Sequence, residues 1–412
     1  MPEKDARRFN LKGDSMADAD DDFSLDPNDV YEEVEIEDLE NMLESDGSEN
    51  GDDDGAAGEE EEDLAPYVPE RDDAKLVFNK HTKSIFCCDI DKTGTLAVTG
   101  GEDDIAYVWE LSTGEVKITC KDNSDSVVSA KFNHDGSLVA TGDMAGNVQV
   151  WKISNQERVL QDQISELNWM EWHPAINVLF AGAADGNVTF WRVSSGECKI
   201  LPSSGVSSEV GKILPDGKRA VVGYEDGSVR VFDLHTCKCT FQVPADGVPI
   251  KSMSCHRDNT MVMAGCNNGE TKLVNTKNGK VLGKLSCAAP EPYCVESAEF
   301  CPWENHANLA ACVTLNGDVS VWEISHQEIR NKTTLPENMT KLAWSKTNRC
   351  LILGTVKGDV ELMNGLDLSK KIPPLLGHSS TILDFCQSGD GKLLLTVSDD
   401  FTARVFEMPV LE

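Results

Sequence analysis

Residues 96–115 read LAVTGGEDDIAYVWELSTGE. A buried strand (Leu96 to Gly100) runs into an acidic turn (Gly101 to Asp104). A second strand then ends on Trp109, and a Ser-Thr-Gly turn follows. The same pattern recurs. LVATGDMAGNVQVW ends at Trp151, LFAGAADGNVTFW at Trp191 and RAVVGYEDGSVRVF at Phe232. Weaker copies are MVMAGCNNGETKLV to Val274, LAACVTLNGDVSVW to Trp322, CLILGTVKGDVELM to Met363 and LLLTVSDDFTARVF to Phe406. The end points 109, 151, 191, 232, 274, 322, 363 and 406 lie 42, 40, 41, 42, 48, 41 and 43 residues apart. A period of about 40–45 residues built from short strands marks a β-propeller blade. The expected fold is all-β, with eight blades.

The two ends of the repeat array predict how the ring closes. After Phe406 only Glu407 to Glu412 remain, too few for a turn and a full outer strand. Blade eight therefore lacks its fourth strand. The stretch Ala74 to Asn79 (AKLVFN) precedes the first repeat, and Lys75 to Phe78 can supply that strand. Closure of this kind removes an open sheet edge that would otherwise invite aggregation. The propeller domain is expected over residues 72–412. The longest interval divides between an enlarged turn at Trp303-Glu304-Asn305-His306 and a Pro-containing loop, Ser286 to Tyr293.

Charge sets residues 1–71 apart. The chain carries 71 acids and 37 Lys and Arg, a net charge of −34. Residues 1–72 hold 28 of the acids and 5 of the bases. From Gly13 to Glu70 there is no Lys or Arg, and 25 of 58 residues are Asp or Glu. Such a segment cannot bury enough apolar surface to offset its chain entropy, so a disordered acidic arm is expected. Within it, Asn28 to Glu44 spaces Val30, Val34, Ile36, Leu39, Met42 and Leu43 near helical period. This piece is either a linear motif that folds on a partner or a solvated tail with transient helix. Both parts of the chain are acidic, which disfavours direct nucleic-acid binding, since phosphate backbones select clustered Lys and Arg. A basic protein or peptide is the complementary partner.

Chemistry is sparse. No GxxxxGK[ST], HExxH or GxSxG stands in the chain. The fourteen cysteines fall mostly singly along strands, without the paired spacing of a zinc site or a secreted disulfide framework. No catalytic residue, cofactor or metal is expected. The start lacks an apolar signal core, and no apolar run approaches the roughly 20 residues of a membrane span. A monomer in the cytoplasm is expected, with the nucleus left open.

The repeats resemble WD repeats. That family places a His before the first strand, Ser or Thr in the second, Asp in the turn and Trp at the end of the third. In blade one His81, Thr99, Asp103 and Trp109 fill the four places. Blade eight has His378, Thr396 and Asp400, with Phe406 for Trp; Asn268, Asn316 and Lys357 occupy the Asp place in blades five to seven. The resemblance implies a hydrogen-bonded tetrad that stiffens the blade, so His81 and Asp103 are structural. Use as a ubiquitin-ligase substrate receptor needs an Arg shortly after a Trp-Asp pair, which the chain does not provide.

LAVTGGEDD (96–104), LVATGDM (138–144), LNWMEWHP (167–174), LPDGKRAVVGYEDGSVRVFDL (214–234) and GHSSTILDF (377–385) narrow the resemblance to the angio-associated migratory cell protein family of animals. A fungal relative in that family is a ribosome-assembly chaperone that captures a basic large-subunit ribosomal protein of the eukaryotic L-ten or L-sixteen type. The animal name implies roles in cell migration and receptor signalling. The corresponding expectation is an acidic propeller face formed by Glu102, Asp104, Asp125, Asp143, Glu166, Glu225 and Asp399. A ring of carboxylates focuses negative potential on a channel mouth. Turns also favour Asp for local backbone bonding, which is the competing explanation.

Overall fold

The second strand of each blade is packed between neighbouring blades, so it reads as an apolar run rather than as alternating sequence. Leu138–Asp143, Val178–Ala183, Leu309–Thr314 and Cys350–Thr355 are buried at every position. Fourth strands lie at the periphery and expose most of their length, as in Glu197–Leu201. The computed structural model describes residues 67–203, 205–286 and 293–409. They form eight four-stranded antiparallel sheets. Blade one comprises Ile85–Ile90, Leu96–Gly101, Ala106–Glu110 and Val116–Cys120, ordered from the inside outward. Among the described residues the helical element is a single 3-10 turn, Glu304–His306, in the enlarged turn of blade six.

The ring closes as the strand count predicts. Leu76–Phe78 pairs antiparallel with Ala403–Glu407, in the register Leu76 to Val405, Val77 to Arg404 and Phe78 to Ala403. It completes a sheet whose other strands are Ile382–Gln387 and Leu393–Ser398. Residues just ahead of the strand add to the seam. Asp73 N–H donates to the Leu376 carbonyl at 2.8 Å, and Leu376 N–H donates to Asp73 Oδ2 at 2.9 Å. Residues 67–71, grouped with the arm by charge, already lie on the propeller. Tyr67 donates to Asp359 Oδ1 at 3.1 Å, with Lys357 Nζ 4.5 Å from its ring centroid. The expected disorder of the arm and the candidate helix at Asn28 to Glu44 fall outside the described residues, as do 287–292 of the Pro-containing loop.

The core is distributed between blades. Phe78, Ile85, Trp109, Leu395 and Val405 pack together where blades eight and one meet. In blade six, Trp303 does more than lengthen a turn. Its ring meets Trp344 of blade seven edge-on at 5.0 Å, and its Nε1–H donates to the Ser345 carbonyl at 2.8 Å.

Candidate functional site: an eight-position rim and its channel mouth

Each blade's second strand hands over to a turn whose first residue donates its N–H to the carbonyl just ahead of an inner strand. In blade one the bond is Glu102 N–H to Ser84 O, 2.9 Å. It recurs in all eight blades at 2.9–3.1 Å. One outward side chain per blade results: Glu102, Met144, Ala184, Glu225, Asn267, Leu315, Val356 and Asp399. Three of these are acidic. Glu166 supplies the carbonyl for Ala184 and is itself exposed, adding a fourth carboxylate to the rim.

The third residue of the turn has positive φ throughout. In blades two to seven it is Gly, and a Cβ on Gly146 would lie 2.1 Å from the Ser165 carbonyl oxygen. Blades one and eight place Asp104 (φ 60°) and Phe401 (φ 66°) there, and both side chains are exposed. Asp tolerates left-handed backbone better than most residues. Asp104 therefore sits on the rim beside Glu102, and Phe401 holds the equivalent corner of blade eight.

Between those exposed corners lies the rigid part. His81 Nδ1 is 2.9 Å from Asp103 Oδ1, His81 Nε2 is 3.0 Å from Thr99 Oγ1, and Trp109 Nε1–H donates to Thr99 Oγ1 at 3.3 Å. Blade eight repeats it, with His378 Nδ1 2.9 Å from Asp400 Oδ2 and Nε2 2.7 Å from Thr396 Oγ1. Burial pushes the Asp103 and Asp400 carboxyls up, but their histidine hydrogen bonds and charge interactions outweigh it and hold both low. Burial pushes His378 down against the pull of Asp400.

The seven acids expected on one face divide. Glu102 is half-buried, 3.4 Å from Lys83 in an exposed ion pair of the kind that contributes little. Asp104, Glu166 and Glu225 are exposed. Asp399 is exposed too, and accepts from Ser84 Oγ of blade one and Ser380 Oγ. Asp125 is half-buried and accepts from Ser126 N–H at 2.7 Å, a local turn bond. Asp143 must be removed from the set. It is fully buried, and its carboxylate accepts from Ser124 N–H at 2.7 Å and Asn147 N–H at 2.8 Å. The second strand of blade two runs one residue further than its acid suggests, so Asp143 stands where blade one has Gly101. The outward residue is Met144.

Two features of the mouth were not legible from the acids alone. Every inner strand has a register shift after its first residue, and such a bulge re-aims a side chain. Glu209, Lys251 and Glu296 occupy bulges, with Lys251 Nζ 2.8 Å from Glu209 Oε2; burial pushes the Glu296 carboxyl up. The signal was present as the second residue of each inner strand. Deeper still, acids and lysines of the inner strands cross-link the blades. Lys131 and Lys212 lie 2.9 and 3.2 Å from Glu171 Oε2. Burial pushes Glu171 up, yet the two lysines outweigh it and bring its carboxyl to about 2. Asp89 accepts from Phe132 N–H of the next blade at 2.9 Å, but burial prevails and raises it to about 6. No group of His, Cys, Asp and Glu that could hold a metal occurs among the described residues.

Comparisons with known proteins agree with this architecture. The family model for the WD domain, G-beta repeat, matches residues 74–110, 114–152 and 369–407. The chain is 36% identical over 400 residues to the human angio-associated migratory cell protein, covering 92% of this chain and 90% of that protein. It is 26% identical over 406 residues to the Saccharomyces cerevisiae ribosome assembly protein SQT1, covering 88% and 92%. Among solved structures, Chaetomium thermophilum Sqt1 bound to the N-terminus of ribosomal protein L10 superposes with a TM-score of 0.74 at 20% identity, covering 82% of this chain and all of that one. The chain belongs to the WD-repeat family of the angio-associated migratory cell protein.

Proposed function

We propose that the chain is a non-catalytic chaperone that captures the basic N-terminal segment of a large-subunit ribosomal protein of the L10 type during ribosome assembly. The observation that carries this is the rim. Its acidic positions, Glu102, Glu225 and Asp399, are held outward by a repeated backbone bond, with Asp104 and Glu166 beside them. Arg and Lys of an incoming segment pair with such carboxylates, Arg in a bidentate manner. The fungal relative's name and the L10 complex of its Chaetomium counterpart supply the partner class. Capture as the ribosomal protein is made would place the work in the cytoplasm.

A scaffold role in cell migration or receptor signalling is the second reading. It is favoured by the apolar arc of blades six and seven, where Leu315 and Val356 are 38% and 40% exposed. Affinity purification of the full chain from its own cells separates the two. A stoichiometric basic ribosomal protein that washes off with salt supports capture, because charge-driven binding weakens as ionic strength rises. Signalling or cytoskeletal proteins in its place would refute it.

A further inference from the structure

One face of blade three departs from the acidity of the rest. Cross-strand register aligns Val178 with Arg192 and Glu197, and Phe180 with Phe190 and Lys199. This face turns toward blade four, and together they bound an open groove of about 560 Å³. Its floor is aromatic: the rings of Phe180 and Phe190 stack at 5.0 Å and 22°. Ile176 stands on the lip, 53% exposed.

Its rim is cationic, in a chain whose net charge is −34. Arg192, Lys199 and Lys218 line the groove and are exposed. Glu197 approaches Arg192 and Lys199 only at 3.8 and 3.7 Å, in the exposed setting where ion pairs are weak. Lys218 meets no carboxylate within ion-pair distance among the described residues. Asp233, also in the lining, has Oδ1 occupied by Thr236 N–H at 2.8 Å and Thr236 Oγ at 2.7 Å. Lys218 comes from the turn after an inner strand. Such turns leave a blade at the end opposite to the turns that bear Glu102 and Glu225, so the groove is separate from the acidic rim.

We propose that this groove is a second docking surface, for an acidic segment of a partner protein that carries a large apolar side chain. Carboxylates of the segment pair with Arg192, Lys199 and Lys218, and the apolar side chain lies on Phe190 and Ile176. An apolar anchor inside a charged rim is the arrangement that concentrates binding energy in few residues. Because the two surfaces carry opposite charge and lie at opposite ends of the blades, one molecule can hold a basic partner and an acidic one together.

The test is to pan the full chain with a phage library of random dodecapeptides, in the presence of excess basic peptide to occupy the rim. Enrichment of sequences with several Asp or Glu around a Phe, Leu or Trp is expected. A synthetic copy of the winner should bind R192E/K199E/K218E about tenfold or more weakly, while that variant keeps its melting temperature and its affinity for the basic peptide. Should the triple variant fail to fold, Lys218→Glu alone, on an exposed turn, should still weaken binding severalfold. Winners without acidic residues, or winners whose affinity these variants leave unchanged, would overturn the proposal.

Discussion

Phe78 of the closing strand stacks on Trp109 of blade one, ring centroids 4.5 Å apart and planes within 6°. By register Phe78 belongs to blade eight, while Trp109 belongs to blade one and donates to Thr99 of its tetrad. The strand that completes one blade thus also covers the aromatic residue that stiffens the next. Phe78 is 2% exposed, so Phe78→Ala leaves a cavity at the seam. A loss of about 3–5 kcal/mol is expected from such a truncation, read by chemical denaturation. Deletion of residues 72–80 should lower the melting temperature further, and a deletion that melts with the parent would contradict the closure.

Asp143 and Glu102 should respond oppositely to mutation. Asp143→Ala removes the acceptor for the buried Asn147 N–H, at a cost of about 1–3 kcal/mol, and for the Ser124 N–H, which lies nearer the surface and adds less. Glu102→Ala should leave stability within about 0.5 kcal/mol, because only an exposed pair is lost. Paired thermal melts of the two variants check the division between fold and rim.

Asp89 gives stability an unusual pH dependence. Its folded carboxyl is raised from 3.8 to about 6, so between those values the folded state binds more protons than the unfolded one. Stability from this group therefore falls as pH rises from about 4 to 6, the reverse of Glu171, whose depressed value adds stability that is lost on acidification below its unfolded range. Asp89→Asn keeps a side-chain carbonyl as acceptor for Phe132 N–H. It should raise the melting temperature at pH 7.5 relative to the parent, with the gain shrinking toward pH 4.

If the rim captures a basic segment, its acidic and apolar positions should separate by salt. Replacing Leu315 and Val356 with Ser should weaken binding severalfold without altering how affinity falls with ionic strength. Replacing Glu102 and Glu225 with Gln should flatten that dependence, since screening acts on the charge pairs. Affinities measured by fluorescence anisotropy over a salt series distinguish the two. Equal salt dependence in all variants would show that the acids take no part.

The fold was legible because the second strand of each blade is a buried run followed by a turn and a bulky closing residue, and because counting strands exposed the missing one in blade eight. The rim was legible only in part. Acids announce themselves in a turn, so the sequence allows Glu102, Asp104, Glu166, Glu225 and Asp399 to be placed at the turn positions they occupy. Which turn residue faces outward depends on where the preceding strand ends, and a one-residue shift hid Asp143 and revealed Met144. Leu315 and Val356 were missed because an exposed apolar residue beside a buried strand looks like its continuation. The groove of blade three arises from register across strands together with turns of the next blade, a juxtaposition that linear sequence does not display.

The most direct measurement is the affinity of the full chain for the N-terminal peptide of its own organism's L10-type ribosomal protein, compared with that of the variant E102K/E166K/E225K. The account predicts tight, salt-sensitive binding to the parent and loss of at least about a hundredfold in the variant, with its melting temperature unchanged. Binding of equal strength to both proteins, or no binding to the parent at low salt, would contradict it.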